Sequence, residues 1–298
     1  MISEDPRMAI DKKIQSGEFV VLGEFEPPKG ADFSPLLTNA NLVKGRVDAF
    51  VIPEMANAVM KASSLGGCCF LETHGFETIL QVSCRDRNRL ALQADILAAA
   101  GIGISSVMVV PGEEIRYGDH HQARAVYDVD LMELLEGIGR LQEGKDMAGI
   151  ELRGTPRFFV GTTFNAGATG GAMGIELEEL KKKVDKGVRF VITTPVFDIA
   201  GFQQTLNRMA GLDVAVIPTV LILKSAGMAR YIDRNISHIS IPPDTIRSVQ
   251  KAPDKARRCV QIAGELITQL KQLGVAGVLV STIGWEDKLP QVLDVARV

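Results

Sequence analysis

Residues 78–114, TILQVSCRDRNRLALQADILAAAGIGISSVMVVPGEE, constrain the fold more than any other stretch. Thr78 to Ser83 is a short β-rich run. Arg85 to Ala100 sets apolar residues at Leu90, Leu92, Ile96 and Leu97, a helical spacing. Gly101 and Gly103 end that helix, and Ser105 to Val110 is a second apolar run closed by Pro111-Gly112. Two strands joined through a helix by short turns form a βαβ unit, which makes them parallel. Both then finish on one edge, which carries Ser83-Cys84-Arg85-Asp86 and Gly112-Glu113-Glu114. Polar groups gathered where parallel strands end are the usual site of an α/β enzyme.

The same alternation runs along the whole chain. A helix at 7–16 precedes a strand at 18–26, which stops at Pro27-Pro28 because proline cannot continue a ladder. Helices at 33–43 and 56–70 flank a strand at 48–52. Beyond the βαβ unit, the polar loop EIRYGDHHQARAVYDVD is longer than an ordinary connection and suggests a lid or binding loop. A helix at 131–141 and a strand at 158–162 follow, and TFNAGATGGAMG reads as a flexible, glycine-rich exit. The rest alternates as helix 175–186, strand 189–193, helix 198–210, strand 214–221 and helix 225–232. A link ending at Pro242-Pro243, a helix at 256–273, a strand at 278–281 and a short helix complete the chain.

These are eight strand–helix repeats, most of them about 30 residues long. No hairpin signal interrupts them, so the sheet is parallel. Eight repeats in 298 residues predict an α/β fold, a single-domain (β/α)8 TIM barrel over 1–298, an architecture that takes about 250 residues. An open doubly wound sheet is the alternative, but it calls for GxGxxG after the first strand, where this chain has EFEPPKG.

Composition narrows the function. A net charge of −3 gives no electrostatic case for nucleic acid or an anionic membrane. No apolar run reaches membrane-spanning length, and MISEDPRMAIDKKIQSG has no signal-peptide core, so a cytoplasmic protein is expected. Cys68, Cys69, Cys84 and Cys259 have no zinc or CxxC spacing and read as unreactive thiols. His120 and His121 stand beside Glu113, Glu114 and Asp119 without a metal-ligand spacing, so no metal is expected.

A barrel brings the strand exits to one mouth. Glu24 and Glu26 share one side-chain parity. A buried Glu24 would have a raised pKa and suit a general acid, whereas pairing with a lysine or arginine would make it structural. Lys181, Lys182 and Lys183 follow Glu178 and Glu179 on one helix. A solvated face with i,i+4 pairs Glu178–Lys182 and Glu179–Lys183 is the plainer reading, and contact with a phosphate or ribose the sharper one. The GATGGAMG loop lacks the GK[ST] of a Walker motif.

The run QVSCRDRNRLALQADILAAAGIGISSVMVVPGE at 81–113 resembles the signature of the methylenetetrahydrofolate reductase family, in its short, single-domain bacterial and archaeal branch. Further similar segments follow in the family's order. They are EFEPPKG at 24–30, AVMKASSL at 58–65, YDVDL at 127–131, VGTTFN at 160–165, ELKKKVDKG at 179–187, TTPVFD at 193–198, LKSAGMARY at 223–231 and SIP at 240–242.

The resemblance implies a barrel holding a non-covalent flavin, FAD with FMN as the variant. It implies reduction of 5,10-methylenetetrahydrofolate to 5-methyltetrahydrofolate by hydride transfer from flavin N5 to the exocyclic methylene carbon. Glu24 falls on the family's first-strand glutamate, which helps protonate the folate and open its imidazolidine ring. Glu113, after Gly112, falls where an acidic residue tunes the flavin potential. Gln81 and Ser83 match third-strand flavin contacts, and Thr163 and Asn165 match the fifth-strand exit. Glu176, Glu179, Lys182 and Lys183 match the helix that embraces the ribityl, phosphate and nucleotide portions. Gly112 and Tyr127 join the cofactor contacts, and Thr194 takes the place of a substrate contact.

The mouth departs from the family pattern at four places. Thr194 stands for a glutamine, Pro53 for a threonine and Glu113 for an aspartate, and AGATGGAMG replaces an aromatic or proline-bearing exit. The resemblance further implies a tetrahydrofolate-type substrate, electrons from NAD(P)H or from a separate iron–sulfur partner protein, and a homo-oligomer. The departures motivate a second reading, a flavin- or pterin-binding subunit of a larger one-carbon complex, active only with an electron-transfer partner. A pterin-dependent methyltransferase barrel is a third, without a positive motif.

Overall fold

Eight parallel strands close into a barrel in the order of the sequence in the computed structural model, which describes residues 10–298. The strands are β1 (Val20–Glu24), β2 (Ala49–Ile52), β3 (Thr78–Ser83), β4 (Ser106–Val110), β5 (Phe159–Phe164), β6 (Val188–Pro195), β7 (Ala215–Leu221) and β8 (Gly277–Ser281). β1 and β8 seal the ring in register from Val20 against Gly277 to Glu24 against Ser281. This is the single-domain (β/α)8 architecture that the repeats predict, and every strand edge is paired.

Alternation along the strands separates two cores. Val20, Leu22, Ala49, Val51, Ile79, Met108, Val110, Phe190, Ile192, Ile217 and Leu279 fill the barrel interior. Ile10 of α1 (Ile10–Gln15) joins this cluster at the N-terminal end, where its backbone N–H donates to Glu77 Oε1 at 2.8 Å. The predicted helix at 7–16 is thus seen from Ile10 onward, and its start lies outside the described residues. Gly161 lacks a side chain because Phe190 fills that space: a Cβ there would stand 2.2 Å from the ring.

The outer core lies between the barrel and its helices. They are α2 (Ser34–Leu42), α3 (Ser64–Thr73), α4 (Arg89–Gly101), α5 (Leu131–Gln142), α6 (Gly170–Asp185), α7 (Ile199–Met209), α8 (Ala226–Asn235), α9 (Pro243–Lys251), α10 (Lys255–Gln272) and α11 (Leu289–Ala296). Four expectations need correction. The helix predicted at 56–70 is a tight turn, Ala56–Ala58, followed by α3, whose Ser63 cap accepts the Gly66 N–H. Met55, Asn57 and Ala58 adopt positive φ, which breaks the helix there. α4 starts at Arg89 because Asn88 caps it, accepting the Ala91 N–H. GGAMG belongs to the first turns of α6 rather than to a loop. α9 was not foreseen; Pro243 opens it at a position where a missing N–H costs nothing.

The long loop after β4 is anchored rather than free. Asp119 ion-pairs with Lys29 and accepts the Met60 N–H at 3.0 Å. Val126 N–H donates to Arg85 O at 2.8 Å, and Asp128 pairs with Arg89 at 2.9 Å. Gly118 lies so close to Ala58 that a Cβ would meet its carbonyl oxygen at 1.9 Å.

Candidate active site

The C-terminal ends of the strands converge on a mouth, and Glu24 is the last residue of β1 on its inward-facing side. Ser281, its register partner on β8, donates from Oγ to Glu24 Oε1 at 2.8 Å. One face of Glu24 opens to the mouth while protein surrounds the rest. Burial raises its pKa above the ordinary carboxylate value. The Ser281 hydrogen bond and the charge of Lys61 oppose that rise, and the charge of Glu113 adds to it. Glu26 does not share this environment. The strand has ended, and Glu26 ion-pairs with Lys61 at the surface.

Glu113 stands across the mouth at the exit of β4, half exposed. Its place is set by Arg85, whose side chain is 1% exposed. The guanidinium holds Asp86 through two contacts of 2.7 Å, and donates to Glu113 O at 3.0 Å and Met55 O at 3.3 Å. Arg85 Nη1 also lies 3.6 Å from Glu113 Oε2. One buried fork therefore ties the exits of β2, β3 and β4. Gly112, at φ +84°, passes over Ser83: a Cβ would come within 2.5 Å of Ser83 Oγ. Ser83 is fully buried, and its hydroxyl accepts the Arg85 N–H at 3.2 Å. Gln81 Oε1 accepts the Glu54 N–H at 2.8 Å. Glu54 itself is buried, accepting from Arg87 Nη1 at 2.8 Å and Ser64 N–H at 2.7 Å. Tyr127, at φ +41°, is half exposed on the rim near Arg85.

A cleft of about 550 Å³ opens beside this group, between the exits of β4, β5 and β6 and the face of α6. It gathers seven of the sequence-predicted residues: Thr163, Asn165, Glu176, Glu179, Lys182, Lys183 and Thr194. Pro111 lines its near end, two residues before Glu113. The i,i+4 pairs of the plainer reading do not form: Glu178 pairs with Lys181 at 2.8 Å. Among the described residues, no ion pair holds Lys182 or Lys183. Thr194 follows a register shift in β6, and its buried Oγ1 has no hydrogen-bond partner. A larger hollow, about 1010 Å³, lies beside α1 at the opposite end of the barrel and contains none of these residues.

A family model described as methylenetetrahydrofolate reductase matches residues 9–297. The chain belongs to the methylenetetrahydrofolate reductase family. Membership supports a methylenetetrahydrofolate reductase-type function: an oxidoreductase acting on a folate, in a family that is generally flavin-dependent. No curated protein matches the sequence at a significant level. Solved structures share the fold at low identity. EDTA monooxygenase from Chelativorans sp. BNC1 superposes with a TM-score of 0.55 at 9% identity, covering 94% of this chain and 93% of its own. 2,3-Dimethylmalate lyase gives 0.52 at 10% identity, over 92% and 79%. Oxaloacetate acetylhydrolase gives 0.51 at 8%, over 90% and 77%. At such identities the likeness concerns the barrel alone. No helix among the described residues is long and apolar enough to cross a membrane.

Sequence reasoning missed three members of this reductase mouth. Ser281 was detectable, since it ends the eighth strand on the inward parity. Arg85 was visible as part of a polar edge, but its burial was not. Lys61 lies within AVMKASSL, and nothing local to that segment signals that it meets carboxylates from the β1 and β8 exits.

Proposed function

We propose that the protein reduces 5,10-methylenetetrahydrofolate to 5-methyltetrahydrofolate with a non-covalently bound flavin, FAD or FMN. The observation that carries this reading is Glu24: a carboxyl of raised pKa, held by Ser281 at the barrel mouth, facing Glu113 and adjoining a cleft whose Lys182 and Lys183 are in no ion pair among the described residues. Bound flavin supplies the hydride that the exocyclic methylene carbon accepts. Glu24 retains its proton to higher pH than an ordinary glutamic acid and delivers it to an imidazolidine nitrogen of the folate, opening the ring. Ser281 fixes the orientation of that carboxyl.

The donor set of the cleft fits a flavin's polar tail. Lys182 and Lys183 offer ammonium groups to phosphate oxygens, and Glu176 and Glu179 offer acceptors to ribityl or ribose hydroxyls. An orphaned buried hydroxyl such as that of Thr194 is unfavourable by about 1–3 kcal/mol, and a ligand in the cleft would relieve it. Thr163 and Asn165 line the same cleft, and Gln81 with the Gly112–Glu113 turn, at the neighbouring β3 and β4 exits, would hold the rest of the flavin. Ser83 contributes from beneath, by seating Gly112.

The test starts with the absorption spectrum of the purified protein and the mass of any released cofactor. A flavin spectrum supports the reading, and the mass distinguishes FAD from FMN. A protein that takes up neither flavin on reconstitution overturns it. Glu24→Gln should keep flavin bound and lose methylene reduction, and parental turnover by that variant removes Glu24 as the acid. Turnover with NADH or NADPH alone, compared with turnover on adding a reduced iron–sulfur protein, separates a self-sufficient reductase from a partner-dependent subunit.

A further inference from the structure

Gln81 is gripped at two points by the chain that leaves β2. It lies on the inward parity of Ile79, two residues before β3 ends, and is half buried. Its Oε1 accepts the Glu54 N–H at 2.8 Å, and its backbone N–H donates to Ser64 Oγ at 3.1 Å. Ser64 Oγ in turn donates to Ile52 O at 2.6 Å. Glu54 is itself fixed, because its buried carboxylate accepts from Arg87 Nη1 at 2.8 Å and from the Ser64 N–H at 2.7 Å. Pro53 stiffens the same turn: its ring sets φ and it has no N–H, so Glu54 supplies the first backbone donor after β2. A backbone N–H only donates, so the atom of Gln81 that meets it is the amide oxygen. The amide nitrogen is the group left over. Nε2 has no hydrogen-bond partner among the described residues and is not enclosed by protein.

We propose that Gln81 is locked as a donor-only contact and donates from Nε2 to a carbonyl oxygen on the pyrimidine edge of the flavin ring. This rests on the reading of the mouth as a flavin site. That edge of an isoalloxazine carries two carbonyl oxygens, which accept, on either side of one N3–H, which donates. A glutamine free to turn its amide over would suit either kind of atom. With Oε1 spent on Glu54, Gln81 suits only a carbonyl. Glu54 and Arg87 are positioning residues for this contact: they hold the turn whose N–H sets the amide. Reduction adds electron density to the pyrimidine edge, so a donor placed there binds reduced flavin more strongly than oxidised flavin and raises its potential.

The test is made on the flavin-loaded protein and reads potential and vibration rather than turnover. Gln81→Met keeps the length of the side chain and removes the donor. Its preference for reduced over oxidised flavin should fall about tenfold, the size of one hydrogen bond, which lowers the two-electron midpoint by about 30 mV. Gln81→Glu keeps an acceptor for the Glu54 N–H, so the turn stays in place, but it has no amide donor; its midpoint should fall at least as far. This second variant decides the matter if Gln81→Met fails to fold or to hold flavin. Infrared difference spectra with flavin 13C-labelled at C2 or at C4 should show one ring carbonyl stretch rising in both variants, and the label identifies which. Glu54→Gln, which gives up the charge pair with Arg87, should shift the midpoint in the same direction. A merely structural Glu54 would lower the melting temperature and leave the midpoint alone. An unmoved or raised midpoint in Gln81→Glu, with both carbonyl stretches unchanged, overturns the proposal. The flavin reading is judged separately, by whether the parental protein takes up flavin at all.

Discussion

Replacing Arg85 with methionine tests whether one buried guanidinium holds three strand exits together. The substitution keeps most of the aliphatic length but leaves Asp86 without its bidentate partner, and leaves the Glu113 and Met55 carbonyls each short of a donor. Removing one member of a buried ion pair costs about 3–5 kcal/mol. Asp86 is 19% exposed and so recovers some hydration, which places the expected loss at about 4 kcal/mol. With about 2.1 cal/mol/K of unfolding entropy per residue, 298 residues give roughly 0.6 kcal/mol/K, and the melting temperature should fall by roughly 6 °C. Thermal unfolding followed by circular dichroism measures this. Asp86→Asn combined with Arg85→Met should cost less than the sum of the single changes, because the double variant leaves no unpaired charge. A fall of under about 2 °C in Arg85→Met, or strict additivity in the double variant, would refute the assignment of this role to Arg85.

Three further outcomes follow from the interior and the mouth. Gly161→Ala should destabilise the barrel by about 1–3 kcal/mol, since its Cβ would meet the Phe190 ring at 2.2 Å; Phe190→Leu in the same chain should recover part of the loss in denaturant melts. Glu24 has a folded pKa above its ordinary 4.5, so the stability linked to its neutral form is complete at low pH and is lost as pH rises through the folded value. Glu24→Gln should therefore melt with the parent in acid and increasingly above it toward neutral pH, and a gain that shrinks with rising pH would contradict the sign. Lys182→Met should weaken flavin binding about ten- to a hundredfold, the size of one charge-assisted hydrogen bond. Because Lys182 is held in no ion pair, its apoprotein melting temperature should not change, and fluorescence titration with melting curves reads both effects.

The barrel was legible because periodicity and turn chemistry are local. Thr78–Ser83 was bounded correctly from composition alone, and every predicted strand appears within a few residues of its expected place. The misplaced helix starts have a common cause. Asn88 and Ser63 are caps, and residues just ahead of them look helical in composition but are committed to long-range contacts. Arg87 illustrates this: it sits inside the predicted helix, yet its side chain pairs with Glu54 at 2.8 Å and Asp95 at 2.9 Å. The site was legible wherever a residue ends a strand on the inward parity, as Glu24 and Thr163 do. It was illegible where a contact depends on meeting another loop, as for Lys61, or on burial, as for Arg85.

The mouth divides into a held half and an open half, and the division has a physical logic. The exits of β1, β2 and β4 are bound to one another by Lys29 with Asp119, by Asp119 on the Met60 N–H, by Gly118 against Ala58, and by the Arg85 fork. Positive φ at Met55, Asn57, Ala58 and Tyr127 is concentrated there. Each such residue is unfavourable by about 1–3 kcal/mol and persists only where its surroundings over-determine it. This is the half that presents Glu113 opposite Glu24, where a small displacement would alter proton transfer most. The half between β5 and β6 shows the reverse: among the described residues no ion pair holds Lys182 or Lys183, and the Thr194 hydroxyl has no hydrogen-bond partner. The stretch CRDRNR at the β3 exit, which resembles the family signature, is tied to this held half, with Arg85, Arg87, Asn88 and Arg89 each spent on internal contacts. Substitutions there should lower stability and catalysis together. Substitutions of Lys182, Lys183 or Thr194 should change ligand affinity with little effect on the fold, because the polar groups removed are those the protein does not satisfy by itself.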